Sequence, residues 1–140
     1  DIAAAANYEN SDIVIVGCPQ DEGVRRSGGR EGARLAPDAI RGQFYQLTNF
    51  GISAKIFDLG NIDVGGTLEQ THDAQTEIVS QILNDGKKAI VLGGGNDISY
   101  PNGRAAARVF GAENWIAINL DAHFDVRADS ERSSATPYRQ

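Results

Sequence analysis

The stretch Ile13-Val14-Ile15-Val16-Gly17 is an uninterrupted run of β-branched residues that stops at a glycine. Three further apolar runs follow along the chain: Ala54–Phe57, Ala89–Leu92 and Ile116–Leu120. Nearly continuous apolar character, without alternation, is typical of strands that are buried on both faces of a parallel sheet. The sequence therefore predicts four strands.

Helical patterns lie between the predicted strands. Apolar residues recur at helical spacing over Thr67–Leu83, whose first residue forms a potential capping box with Gln70, and Gly86 is a suitable stop. Two further helices are predicted over Ala36–Tyr45 and Pro101–Phe110. Strands that alternate with helices predict an α/β fold with a central parallel sheet, whose functional residues gather beyond the carboxyl ends of the strands.

Composition and charge narrow the class of protein. Among 140 residues, 13 are Lys or Arg and 19 are Asp or Glu, and the resulting net charge of −6 argues against nucleic-acid and anionic-membrane partners. The single cysteine, Cys18, excludes an internal disulfide and is interpreted as a small buried residue. No apolar run is long enough for a membrane span. We expect a cytoplasmic globular protein.

The most informative segment directly follows the last predicted strand. Asp121, His123 and Asp125 stand at every second position, so a continuing extended backbone places all three on one face. Two carboxylates and an imidazole at a strand end suit Mn²⁺ or Zn²⁺ better than Ca²⁺. The alternative is a solvated turn in which Asp121 caps a following element.

A glycine-rich segment, Gly93–Asp97, follows the third predicted strand. It lacks the spacing of a phosphate-binding loop, and its glycines are predicted to let the backbone approach a neighbouring strand end closely. Asn96 and Asp97 would then face the same crevice as Asp121. For Asp97, an N-cap or Asx turn ahead of the next helix is the alternative. His72, within a predicted helix, is assigned no role.

These segments together resemble the ureohydrolases, the family of arginase, agmatinase and formimidoylglutamase. Leu120–Asp125 matches the D-A-H-x-D motif of that family, and Gly93–Asn96 stands where the family has G-G-x-H. Gly29–Arg41 resembles its G-x-x-G-x-x-x-x-P-x-A-I-R segment. The resemblance implies a three-layer arginase-like α/β fold with a central parallel sheet, assembled as a homo-trimer or hexamer. Residues 1–140 would be the amino-terminal part of a single domain.

The resemblance also implies roles for the metal-binding residues. Asp121 corresponds to a carboxylate that bridges two Mn²⁺ ions, Asp125 binds one of them and His123 binds the other. Such a pair of cations activates water for attack on a guanidinium or amidine carbon. Asn96 replaces a metal-ligating histidine of the family. An amide oxygen is a poorer ligand than imidazole, so one ion is expected to bind more weakly or not at all.

Two further features indicate the substrate. Arg127 stands where arginases carry an asparagine, and Ser133–Arg139 resembles the S-G-[ST]-P-[FY]-R loop of formimidoylglutamases. Arg127 and Ser134 are therefore predicted to hold a substrate carboxylate. The equally weighted alternative for Arg127 is a salt bridge to the Asp121 and Asp125 carboxylates. Tyr138 falls where arginases have a catalytic histidine, which argues against arginase activity.

The leading hypothesis is a manganese-dependent hydrolase of C–N bonds in linear amidines, nearest formimidoylglutamase, with a small substrate that carries a carboxylate. Beyond the metal ligands, no catalytic residue is expected in this half of the domain, and the half alone is not expected to be catalytic. Asn96 motivates an alternative, an arginase-like protein with a degenerate metal site that acts as a non-catalytic binding or regulatory subunit. A purely structural Rossmann-like module is a third reading.

Overall fold

The computed structural model describes residues 2–49 and 51–139, which form five α-helices and a three-stranded sheet. The elements in chain order are α1 (Ile2–Glu9), β1 (Ile13–Gly17), α2 (Glu22–Arg26), α3 (Ala36–Phe44), β2 (Ile56–Asn61), α4 (Leu68–Asn84), β3 (Lys88–Leu92) and α5 (Ser99–Phe110). Short 3-10 helices, Ala33–Leu35 and Asn96–Ile98, precede α3 and α5. Within these described residues, no helix has the length and apolar character needed to cross a membrane.

The sheet is parallel, with strand order β2-β1-β3, as an α/β fold requires. Ile13 lies opposite Ile56 of β2 on one side and Lys88 of β3 on the other. Four of the five residues of the central strand β1, Val14 to Gly17, are buried, whereas Ile56 and Ile90 on the outer strands are exposed. The expectation of strands buried on both faces is therefore confirmed for β1 and wrong for β2 and β3, whose residues are half-buried or exposed because the described elements do not cover both of their faces.

The fourth predicted strand, Ile116–Leu120, does not form. The structure leaves this segment without regular secondary structure, and Ile116, Ile118 and Leu120 are 82%, 78% and 96% exposed. A strand needs a neighbour for its backbone hydrogen bonds, and no ladder reaches this segment within residues 2–49 and 51–139. The apolar pattern is present, but the described residues supply no partner for it.

The helix predictions are confirmed to within two residues at each end. Directly before α4, the Thr67 hydroxyl accepts a hydrogen bond from the Gln70 amide at 3.1 Å, and the Gln70 side chain accepts one from the Thr67 amide at 3.1 Å. Gly86 lies just beyond the helix end with a φ of +72°, a conformation that favours glycine. The helix buries Leu68, Val79 and Ile82, and it packs against α5 and β3.

The capping box gives a first testable prediction. Thr67→Ala removes the hydroxyl that satisfies the Gln70 amide, so the free energy of unfolding should fall by about 1 kcal/mol. Urea denaturation measures this change. Thr48→Ala, at an exposed position outside any helix, is the matched control and should leave stability unchanged. Equal effects of the two substitutions would contradict the capping role.

Candidate active site

The loop after β3 lies directly against the loop after β1. The Gly94 amide donates a hydrogen bond to the Cys18 carbonyl oxygen at 2.9 Å. A Cβ atom at Gly94 would lie 2.6 Å from the Gln20 carbonyl oxygen and 2.8 Å from that of Cys18. This confirms the prediction that the glycine segment permits a close backbone approach. The contact fixes the position of the residues that follow, Asn96 and Asp97.

The side chains of Asn96 and Asp125 are in contact. The Asn96 side-chain amide donates to Asp125 Oδ2 at 2.5 Å, while Asn96 Oδ1 accepts from the Ser99 hydroxyl at 3.1 Å. Asp125 has a left-handed backbone with a φ of +53°, which Asp tolerates better than most residues. The glycine-rich segment and the D-A-H-x-D segment are therefore joined by one side-chain contact.

Asp121 and His123 form a second pair. Asp121 Oδ1 accepts from the His123 backbone amide at 2.8 Å and lies 3.1 Å from His123 Nδ1. The backbone hydrogen bond first, and the side-chain one second, lower the pKa of the Asp121 carboxyl, which favours its ionised form at neutral pH. The expectation that Asp121, His123 and Asp125 share one face is wrong, because the chain bends at residues 121–123 and is left-handed at Asp125.

The donor atoms suit Mn²⁺ in kind. Carboxylate oxygens and an imidazole nitrogen are suitable ligands for this cation. In the structure, however, the candidate ligands lie as two separate pairs. The described residues contain no group of three His, Cys, Asp or Glu side chains close enough to hold a metal ion. Metal binding by Asp121, His123 and Asp125, with Asn96 at a weakened position, stays a prediction.

A cavity of about 550 Å³ brings two predicted metal ligands together with both predicted substrate residues, whereas Asp121 and Asn96 are not part of its lining. Its lining includes His123, Asp125, Arg127, Ser134 and, from the end of α2, Ser27. The Arg127 guanidinium lies 3.7 Å from Asp129, and its side chain is 58% exposed. The alternative of a salt bridge from Arg127 to Asp121 or Asp125 is therefore wrong. Arg127 is one of the residues that line the cavity.

The contact between Asp97 and His72 is the feature that sequence reasoning missed. Asp97 does not cap a helix, so the N-cap interpretation is wrong, and the hydrogen bonds of its carboxylate go to residues other than Asp121. It is 1% exposed, and its Oδ2 lies 2.8 Å from Nε2 of the fully buried His72. A signal was available, because His72 falls four residues after Leu68 and seven before Val79, on the apolar face of α4.

Cys18 is a small buried residue, as predicted. Burial, with the nearby Asp97 carboxylate as a second cause, raises the pKa of its thiol to about 12. The thiol therefore stays protonated at neutral pH and is not a nucleophile.

The fold and the two side-chain pairs, Asn96 with Asp125 and Asp121 with His123, can now be compared with known protein families. The sequence profile of the arginase family matches residues 11–140, and the chain belongs to that family. It is 39% identical to a formimidoylglutamase of Klebsiella pneumoniae over 130 residues, which is 92% of this chain and 41% of that protein. The chain thus spans less than half the length of the curated relatives it matches.

Solved structures agree with this assignment. A formiminoglutamase of Trypanosoma cruzi with Mn²⁺ superimposes with a TM-score of 0.88 at 40% identity, covering 95% of this chain and 48% of that one. An asparagine-to-histidine variant of that enzyme, also with Mn²⁺, matches with the same TM-score at 37% identity. A protein described as an agmatinase from Clostridium difficile matches at 28% identity and a TM-score of 0.77. The chain has the arginase fold.

Proposed function

We propose that this chain supplies the metal-binding and carboxylate-binding residues of a manganese-dependent ureohydrolase nearest formimidoylglutamase. The whole enzyme hydrolyses a C–N bond of a linear amidine that carries a carboxylate, and N-formimidoylglutamate is the expected substrate. The observation that carries the proposal is the cavity lined by His123, Asp125, Arg127 and Ser134 together. A cytoplasmic location and a trimeric or hexameric assembly remain predictions.

The residues of this chain have distinct roles in the proposed reaction. Asp121, His123 and Asp125 would hold Mn²⁺, which when bound supplies the Lewis-acid chemistry that amidine hydrolysis needs. Arg127 binds the substrate carboxylate, because a guanidinium offers paired N–H donors to the two carboxylate oxygens. Its exposed side chain is free to turn from Asp129, since a surface ion pair at 3.7 Å contributes about 1 kcal/mol or less.

One observation favours the non-catalytic alternative. Asn96 turns its NH₂ group toward Asp125, and its oxygen accepts from Ser99. An amide NH₂ group cannot ligate a cation, so in this arrangement Asn96 supplies no ligand on the side of Asp125. A protein that binds no Mn²⁺ would act as a binding or regulatory subunit.

Asn96→His tests whether the remaining site is competent. The imidazole adds a good ligand beside Asp125, and the affinity for Mn²⁺ should rise at least about tenfold, since even an outer-shell partner is worth about 10–100-fold. Equilibrium dialysis with elemental analysis gives the affinity and the number of ions bound. Asp121→Ala in the Asn96→His background is the control, and it should remove the gain. No gain from Asn96→His would favour the metal-free subunit.

Activity is tested in a graft enzyme, defined as Klebsiella pneumoniae formimidoylglutamase in which this chain replaces the segment it matches. We expect the Mn²⁺-loaded graft enzyme to release formamide from N-formimidoylglutamate. Agmatine and arginine are the control substrates, because neither places a second carboxylate as formimidoylglutamate does. A graft enzyme that binds Mn²⁺ and releases no formamide would contradict the proposal, and urea release would indicate another branch of the family.

A further inference from the structure

A buried polar cluster adjoins the cavity through Ser134, and its other members have no role in the proposed chemistry. We call it the latch and define it as Gln20, His72, Asp97 and Ser134. Gln20, His72 and Asp97 are buried, and Ser134 reaches them from the loop over 133–138. The latch therefore joins four segments that are distant in sequence: the loop after β1, helix α4, the 3-10 helix after β3 and the predicted substrate loop.

Asp97 is the centre of the latch. Its Oδ2 accepts a hydrogen bond from the Gln20 side-chain amide and lies 2.8 Å from His72 Nε2, and its Oδ1 accepts from the Ser134 hydroxyl at 2.8 Å. Burying a carboxylate is costly unless hydrogen bonds replace its lost hydration. The three donors offset that cost. An apolar side chain would fill the same space without it, so the buried carboxylate indicates a specific task.

Ser134 is held at two points. Its backbone amide donates to the Gly23 carbonyl oxygen at 2.9 Å, and its hydroxyl donates to Asp97. A hydroxyl can donate one hydrogen bond, and here Asp97 accepts it. A substrate carboxylate only accepts hydrogen bonds, so the Ser134 hydroxyl is not available to bind it while this contact persists. In this arrangement Ser134 anchors the loop.

The anchored loop fixes Arg127. The carbonyl oxygen of Ala135, next to Ser134, accepts a hydrogen bond from the Arg127 amide at 3.0 Å. A movement of the loop at Ser134 therefore displaces the backbone that carries the guanidinium. The path runs from Asp97 through Ser134 and Ala135 to Arg127, and every step is a hydrogen bond or a covalent bond.

The surroundings leave the latch little freedom to move. A Cβ atom at Gly95 would lie 2.4 Å from both Asp97 Oδ1 and the Ser134 hydroxyl oxygen. A Cβ atom at Gly23 would lie 2.0 Å from Asp97 Oδ1. Any side chain at either glycine would displace the carboxylate. The backbone thus encloses Asp97 closely on both sides.

We propose that Asp97 is a positioning residue whose carboxylate, held by His72 and Gln20, anchors Ser134 and so orients Arg127 toward the substrate carboxylate. This inference rests on the proposed role of Arg127 in substrate binding. It assigns Ser134 to the latch and leaves the contact with the substrate to Arg127.

Amide hydrogen exchange on this chain tests the anchoring step. Ser134→Ala should speed exchange of the Arg127 amide by about tenfold or more, because a hydrogen bond to a charged group is worth about 1.5 kcal/mol or more, while amides in the middle of α4 stay unchanged. Ser130→Ala, at an exposed position ahead of the same loop, is the matched control and should change neither. Unchanged exchange at Arg127 in Ser134→Ala would overturn the proposal.

Steady-state kinetics of the graft enzyme test the positioning step. Ser134→Ala and Asp97→Asn should each raise KM for N-formimidoylglutamate about five- to tenfold and change kcat by no more than about twofold. The double variant should have the same KM as either single variant, because both substitutions break the same path. Ser134→Thr keeps the hydroxyl and should restore KM. If Ser134 binds the substrate directly, Asp97→Asn leaves KM unchanged, and this result overturns the proposal. A lower yield of folded enzyme with unchanged KM also overturns it, because that result shows a purely structural role.

The two experiments separate this inference from the proposed function. If the graft enzyme is inactive, the proposed substrate role of Arg127 is refuted. If the Arg127 amide of this chain nevertheless exchanges faster in Ser134→Ala, the anchoring by Ser134 is supported. Should Asp97→Asn fail to fold, Ser134→Ala decides the outcome, because Ser134 is only partly buried and its substitution removes one hydroxyl.

Discussion

Gly94→Ala is expected to lower the free energy of unfolding by about 3 kcal/mol, at the upper end of the range for an overpacked position. The new Cβ would lie 2.6 Å from the Gln20 carbonyl oxygen and 2.8 Å from the Cys18 carbonyl oxygen. Both are backbone atoms, so no side chain can rotate away to relieve the contact. The loop after β3 would separate from the loop after β1, and the hydrogen bond from Gly94 to Cys18 would be lost.

Gly42→Ala is the matched control for this experiment. Gly42 lies within α3, has no atom within 4 Å of an added Cβ, and does not have a positive φ. Alanine there should stabilise the protein by about 0.5–1 kcal/mol, because glycine is the poorer helix residue. Thermal unfolding followed by circular dichroism should show opposite shifts for the two variants. A Gly94→Ala variant as stable as the parent would show that the two loops separate without cost.

The elements that the sequence predicted well are those whose signals are local. The capping box of Thr67 with Gln70 and the stop at Gly86 define α4 through contacts within a few residues. The continuous β-branched run Ile13–Val16 identifies β1, which has a neighbouring strand on both edges. The close approach at Gly94 was also predictable, because only glycine fits where two backbones meet.

The parts that could not be predicted depend on tertiary contacts. Asp97 reads as a helix cap from its position before α5, but Gln20, His72 and Ser134 bind its carboxylate instead. Spacing at every second residue places the three predicted ligands on one face only if the backbone is extended, and at Asp125 it is not. Side-chain partners that are distant in sequence decide both cases.

The largest expected difference between this chain and the graft enzyme is the rate of amide hydrogen exchange in Ile116–Leu120. In this chain its backbone amides should exchange close to the rate of an unstructured peptide, because the segment lacks ladder hydrogen bonds and its apolar side chains are exposed. In the graft enzyme the same amides should exchange at least about a thousandfold more slowly, since a strand in the core of a protein stable by about 5 kcal/mol or more opens rarely. Val14 and Val16 of β1 should be protected in both proteins.

This comparison separates two reasons for the missing strand. If the apolar pattern is a genuine strand that lacks a neighbour, protection appears when the rest of the arginase fold supplies one, and Asp121 to Asp125 then follow a paired strand end. Slow exchange in the chain alone would contradict the exposed arrangement. If that protection also grew with protein concentration, the exposed strand would be pairing with a second copy, as unpaired strands tend to do. Fast exchange of Ile116–Leu120 in an active graft enzyme would instead show that Asp121–Asp125 can function without a strand before it.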